Sequence, residues 1–394
     1  MALSPLLLVH PAVQPLNLSV HFPFCRRKCA YCALKSRAGV SEARRAAYVA
    51  RLADEIRARP ERGWRTVYFG GGTPALSGLG PVLDALHDVG LAADAEFTVE
   101  LHPADVHPAL LDELAEGGVN RISLGVQSFD DAMLAQMGRT HSSADAMAAF
   151  GMVQRFFPNS GFDLIAGYPR PPDAAPVRKW LPQILDRLRP AHVSVYSLIR
   201  EAGTRLDLDV RNGRLALPDD DEALDEISDA SRILADAGLA RYETSNYARA
   251  GFECRHNCAV WRGEDYVGLG DGAHGREGML RTVGEGDGYS RETLSPQADA
   301  LEREMFALRT VRGIDPDAAV RRRPALAPLL ERWHEELDFA VAKGLAVRKG
   351  AAYVLTPRGM EVCDAILERL MPVADAYPPH TLTTPTPTHA HVDA

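Results

Sequence analysis

Long apolar runs are missing from this 394-residue sequence, and so is any excess of positive charge. Its one apolar N-terminal stretch, LSPLLLV, is short, has no basic residue ahead of it and is soon broken by Pro11 and Pro15. Neither a signal peptide nor a membrane span is expected from it. Lys and Arg number 44 against 53 Asp and Glu, a formal net charge of −9, which argues against a large sequence-independent affinity for nucleic acid phosphates or anionic lipid. Cysteine is scarce too: six in so long a chain make no disulfide scaffold. The sequence reads as a cytoplasmic protein of two or three domains, with 46% hydrophobic residues to build a sizeable core.

Three of the cysteines are clustered. Cys25, Cys29 and Cys32 follow a short apolar run in HFPFCRRKCAYC, spaced so that three thiolates hold three corners of a cubane iron–sulfur cluster. The missing fourth ligand leaves one iron free to chelate a small molecule through an amine and a carboxylate. The competing reading is a zinc knuckle, but structural zinc sites take four ligands, usually as two paired sets. A thiolate triad of this kind needs a reducing compartment.

Around the cysteines, strand and helix signals alternate. LSVHF, TVYF (66–69), EFTVEL (96–101), RISLGV (121–126), FDLIAG (162–167) and HVSVYSL (192–198) are short β-branched or aromatic runs that read as buried strands. Between them lie amphipathic stretches such as SEARRAAYVARLADEIRAR and PALLDELAEGG, the latter opened by Pro108 and closed by Gly117 and Gly118. The fold class is therefore α/β, a partial parallel (β/α)6 barrel with its chemistry at the carboxyl ends of the strands. From about residue 301 the pattern turns to helices, a small hairpin at Lys349 and Gly350, and a last helix, resembling a winged-helix-like, mainly helical appendage. The expected division is an extension over 1–16, a barrel over 17–250, a connector with an RHN motif over 251–300, the appendage over 301–370 and a Pro- and Thr-rich disordered tail over 371–394. His380, His389 and His391 read as solvated tail residues.

Polar groups recur at the strand ends. Gly70, Gly71, Gly72, Thr73 and Pro74 follow TVYF, where glycine would let backbone amides approach a ligand. Glu100, Gln127 and Asp163 end or lie on later strands, a recurrence that suits ligand contacts better than chance solvation. Arg139 in MGRTH reads equally as a partner for a ligand carboxylate and as a surface helix arginine.

Taken in order, HFPFC, GGGTP, GVNRISLGVQSFD, GRTH, DLIAGYP, VYSLI, YETSNYA, RHN and LTPRG resemble the oxygen-independent coproporphyrinogen III dehydrogenase (HemN)-like family of radical S-adenosylmethionine (SAM) proteins from about Leu18 to Leu370. The resemblance implies a 4Fe–4S cluster on Cys25, Cys29 and Cys32, with Tyr31, Gly71, Gly72, Thr73, Glu100, Gln127, Arg139 and Asp163 lining the SAM pocket. Ser19 stands where a tyrosine is usual, and LHP where ANP is common. Two residues beyond Cys32 the dehydrogenases carry a further cysteine, but here the residue is Leu34, a pattern shared with the HemW haem chaperones. YETSNYARAGFECRHNCAVW is similar to a haem-chaperone segment, matching at His256, Asn257 and Trp261 and departing at Val260.

His256 is the expected haem ligand, since imidazole ligates iron well, and the Trp261 indole is expected near the porphyrin face. The histidine reads equally as a hydrogen-bonding residue between barrel and appendage. Cys254 and Cys258 read as a thiolate haem ligand, a metal site or two buried thiols, the last preferred. The function implied is a chaperone that binds haem and passes it to an acceptor protein, with a flavodoxin- or ferredoxin-like reductant for the cluster. The alternatives are a coproporphyrinogen III dehydrogenase, which the absent fourth thiol disfavours, and a HemN-like methyltransferase or other radical enzyme.

Overall fold

The computed structural model describes residues 17–59, 63–371 and 382–383. The extension expected at 1–16 lies outside them, as does nearly all of the tail, including His380, His389 and His391.

The six expected strands form: β1 (Asn17–Phe22), β2 (Trp64–Gly71), β3 (Leu91–Leu101), β4 (Arg121–Gln127), β5 (Ser160–Ala166) and β6 (His192–Ser197). They are hydrogen-bonded in chain order and all parallel. Beyond β6 the sheet ends in the antiparallel β8 (Asn246–Ala248) and β7 (Ala240–Arg241). On the far side, β9 (Val267–Leu269) pairs parallel with β1. Its two edge strands do not pair with each other, so the sheet is an open arc.

Helices pack on one face, among them α2 (Gly80–Val89), α6 (Val177–Leu188) and α8 (Asp220–Asp236). Ser41 caps α1 (Glu42–Arg57), His107 caps α3 (Pro108–Glu116) and a Ser142–Asp145 capping box opens α5 (Ser143–Phe156), each supplying acceptors for first-turn amides. The buried outer-face residues Val67, Phe69, Phe97, Val99, Ile122, Leu124, Phe162, Leu164, Val193 and Val195 meet these helices in one core. Their strand neighbours point the other way, as the two-residue period requires. Thr66, Tyr68, Thr98, Glu100, Arg121, Ser123, Asp163 and Ser194 therefore give the concave face a polar lining.

Segment 251–300, expected as a connector, is itself built. It contains α9 (Arg255–Trp261), β9 and an antiparallel sheet of β10 (His274–Glu277), β11 (Leu280–Glu285) and β12 (Gly288–Thr293). VGL is too short to announce a strand, yet it completes the edge of the main sheet beside β1. Helix α10 (Pro296–Met305), α11 (Pro316–Arg322), α12 (Leu330–Ala342), the hairpin β13 (Ala346–Lys349) and β14 (Ala352–Leu355), and α13 (Pro357–Glu361) and α14 (Cys363–Leu370) share a second core around Trp333 and Tyr353. No helix among the described residues is long and apolar enough to cross a membrane.

Candidate functional site

A cavity of about 530 Å³ opens at the carboxyl ends of the strands. It brings together Cys25, Cys29, Cys32 and Tyr31 with Gly71, Gly72, Thr73, Glu100, Gln127, Arg139 and Asp163, residues separated by up to 138 positions in sequence. The cysteine loop is fixed from outside. Ala30 N–H donates to Met137 O (2.9 Å) at the end of α4 (Asp131–Met137), and Ala30 O accepts from Leu206 N–H (2.8 Å) in α7 (Arg205–Arg211). Lys35 and Arg37 pair with the buried Asp271 at 2.6 and 3.1 Å.

The three thiols do not converge on one point: among the described residues no three His, Cys, Asp or Glu side chains close tightly enough to hold a single ion. A cubane needs a wider triangle, because each thiolate binds a different iron. Burial raises the Cys25 and Cys32 thiols, and the mutual charge of the triad pushes the same way. Arg139 opposes this at Cys25. Its Nη1 lies 3.3 Å from Cys29 Sγ, its Nη2 binds Gly125 O, and its buried Nε has no partner. Gly138, in the left-handed conformation that ends α4, turns the chain so that Arg139 enters the cavity and not the surface.

The glycine segment differs from expectation in one respect. Its amides are spent on the fold: Gly71 N–H donates to Glu100 Oε2 (3.2 Å), Gly72 N–H to Phe22 O (2.8 Å) and Thr73 N–H to Phe24 O (2.7 Å). What glycine permits here is close packing. A Cβ on Gly72 would stand 2.5 Å from Phe24 O, and one on Gly71, at φ +104°, 2.6 Å from the His21 ring. Gln127 holds φ +75° where the β4–β5 register slips, a strained conformation for a side chain facing a cavity.

Glu100 accepts from the Tyr68 hydroxyl at 2.7 Å. Burial, then the charge of Asp163, pushes its carboxyl up to about 7. Asp163 is raised by burial and accepts from Ser123 Oγ (2.9 Å). His102, unforeseen as a site residue, also lines the cavity. Its Nδ1 accepts from Ala104 N–H at 3.1 Å, leaving the proton on Nε2.

His256 does not join this cavity. It lines a second, open one of about 770 Å³ with Tyr68, Asn257, Val260, His21 and His274; Ala33, Leu34 and Tyr196 border both cavities. Helix α9 is held there by the buried Glu96, which accepts from Arg255 N–H (3.0 Å) and His256 N–H (3.1 Å). This carboxylate satisfies the exposed amides of the helix start.

The His256 tautomer follows from its neighbours. Asn17 Nδ2 donates to Asp265 O (3.0 Å), so Asn17 Oδ1 is the acceptor for Thr66 Oγ1–H at 2.9 Å. A hydroxyl has one proton, so at 2.8 Å Thr66 Oγ1 must accept from His256 Nδ1–H. The network assigns the lone pair to Nε2. Burial, with Arg121 nearby, lowers the imidazole pKa to about 4 and keeps it neutral.

Trp261 is not at this cavity. Five residues along a helix rotate it about 140° away from His256. Its ring packs edge-on against Phe306 at 5.5 Å between centroids, with the Arg309 guanidinium over its face. Cys254 is fully buried and beside Glu96, its thiol pushed up to about 12, and Cys258 is half-buried and raised to about 11. Both thiols are neutral near pH 7.

Residues 19–178 match the Radical SAM superfamily. Over 379 residues the chain is 34% identical to the Heme chaperone HemW of Mycobacterium tuberculosis, covering 91% of this chain and 95% of that one. This chain belongs to the HemW-like radical SAM family. A second relative, the Radical S-adenosyl methionine domain-containing protein 1, mitochondrial, of Bos taurus, is 36% identical over 357 residues, 87% of this chain and 76% of that protein. The fold is that of the Escherichia coli radical SAM enzyme coproporphyrinogen III oxidase (HemN), with a TM-score of 0.74, 19% identity and 90% of each chain covered. Leu34, 53% exposed, stands at the rim of the thiol cavity.

Proposed function

We propose that this protein binds haem at His256 and hands it to acceptor proteins, with a 4Fe–4S cluster on Cys25, Cys29 and Cys32 and SAM in the cavity beside it. The observation that carries this reading is the state of His256. The imidazole is neutral, its proton is committed to Thr66, and its remaining Nε2 lone pair belongs to a side chain lining an open cavity. That is the form in which histidine ligates iron. Similarity to bacterial proteins named Heme chaperone HemW supports the same reading.

When bound, the cluster supplies an electron and an open iron position to SAM. The chain's own groups hold the ligand. Arg139, with an unpartnered Nε, suits its carboxylate, while Glu100 and Asp163 are acceptors for its amine or hydroxyl groups. A bound ammonium only donates, so the segment 71–73, whose amides are already bonded, can meet it through carbonyl oxygens or the Thr73 hydroxyl. A flavodoxin- or ferredoxin-like protein is the proposed reductant, and the cytoplasm a suitable reducing compartment.

The test is anaerobic titration of cluster-reconstituted protein with haem, followed by absorption. One haem per chain is expected, and His256→Ala should shift the spectrum and weaken binding without lowering iron–sulfide content. Identical spectra and affinity would remove His256 as ligand. Multiple-turnover decarboxylation of coproporphyrinogen III, lost on replacing Cys29, would replace the chaperone reading by the dehydrogenase one.

A further inference from the structure

Tyr68 belongs to both halves of the site. Its hydroxyl donates to Glu100 Oε1 at 2.7 Å, and Glu100 lines the thiol cavity. Its ring lines the second cavity and lies against the His256 imidazole, 5.3 Å between centroids and 33° between planes. On the other side of that imidazole's bonding, Thr66, two residues back along β2, accepts from Nδ1. The strand period puts Thr66 and Tyr68 on the same face, so one strand sets both the tautomer and the stacking partner of His256.

We propose that Tyr68 is a positioning residue that couples the two cavities, so that SAM beside Glu100 changes the strength of haem binding at His256. This rests on the haem and SAM reading above. The physical argument concerns differential contact. SAM carries a sulfonium and an ammonium, and a cation in the thiol cavity competes with, or reinforces, the Tyr68 hydroxyl for Glu100. Among the described residues the hydroxyl's hydrogen-bond partner is Glu100, so a change at Glu100 acts on the position of the phenol. That ring meets an imidazole held at Nδ1 by Thr66 and at its backbone by Glu96, whose Nε2 carries no hydrogen bond among the described residues. Iron ligation is directional, and outer-shell partners of ligating histidines change metal affinity about 10- to 100-fold. Coupling of this kind must also be reciprocal: haem must change the affinity for SAM by the same factor.

The experiment measures haem affinity of the cluster-reconstituted full chain with and without saturating SAM, without reductant so that nothing is cleaved. In the parent the ratio of the two dissociation constants should differ from one by about fivefold or more, with a shift of the main haem absorption band. In Tyr68→Phe, which keeps the ring and removes only the hydroxyl, the ratio should fall to within about twofold of one and the band shift should vanish. Should Tyr68→Phe lose its fold, Glu100→Asp, which withdraws the acceptor from the hydroxyl, has to collapse the same ratio with SAM occupancy confirmed by direct titration of that variant. A parent ratio of one, or a parent-like ratio in the folded variant, overturns the coupling alone. A parent that binds no haem overturns the reading beneath it.

Discussion

Thr66 Oγ1 stands 2.8 Å from His256 Nδ1 and gives its single proton to Asn17 Oδ1. The histidine is thereby fixed as a donor at one nitrogen and a free base at the other. Thr66→Val removes the acceptor without changing side-chain size, so haem affinity is expected to fall by about tenfold, with a spectral change, while Thr66→Ser restores both. Equal affinity in parent and valine variant, measured by anaerobic titration, would show that the tautomer does not matter.

For the thiol triad, replacing Cys25, Cys29 and Cys32 together by alanine should abolish iron and sulfide incorporation on anaerobic reconstitution. Cys254→Ala and Cys258→Ala should retain it, because those thiols lie outside the triad's cavity. Iron and sulfide analysis of the three proteins decides this, and unchanged content in the triple variant would dismiss the assignment.

Glu100 offers a pH test. Its carboxyl is raised to about 7, so between roughly pH 4.5 and 7 the native protein holds a proton the unfolded chain releases. Stability from this group therefore falls as pH rises through that window, and the full cost is present above it. Glu100→Gln is neutral at every pH. Its melting temperature relative to the parent should be higher at pH 8 than at pH 5 by on the order of 1–3 °C. A difference independent of pH would contradict the raised carboxyl.

Gly72→Ala places a Cβ against the Phe24 and Phe22 carbonyl oxygens at 2.5 and 2.8 Å, backbone atoms that cannot swing aside. A loss of about 1–3 kcal/mol is expected, with poorer iron incorporation because Phe24 adjoins Cys25. Gly151→Ala, in α5 with nothing within 4 Å, should be neutral or stabilising by up to about 1 kcal/mol. Denaturant unfolding of both variants distinguishes steric need from general glycine loss.

The six parallel strands from β1 to β6 in the arc were legible because the runs from LSVHF to HVSVYSL are each bounded by helical or turn signals. The strand-end residues were legible through topology: parallel strands bring Glu100, Gln127 and Asp163 to one end however far apart they stand in sequence. Contacts made across the concave face were not. Nothing in RTVYF announces that Thr66 meets a histidine 190 residues later, or in AEFTVEL that Glu96 caps the helix carrying it. Trp261 shows the opposite error: closeness in sequence suggested a shared face, and the helical rotation denied it. Arg139 was ambiguous until the turn at Gly138 was known, since helix periodicity ends where that cap begins.

Helix α9 is gripped at both ends by different bodies of structure. Glu96 of the sheet holds its first turn, and Phe306 and Arg309, at the start of the C-terminal helices, clasp Trp261 in its last. Mechanically it is a strut only seven residues long, too short to bend. A protein docking on the C-terminal helices would thus bear on the same seven-residue helix that carries His256.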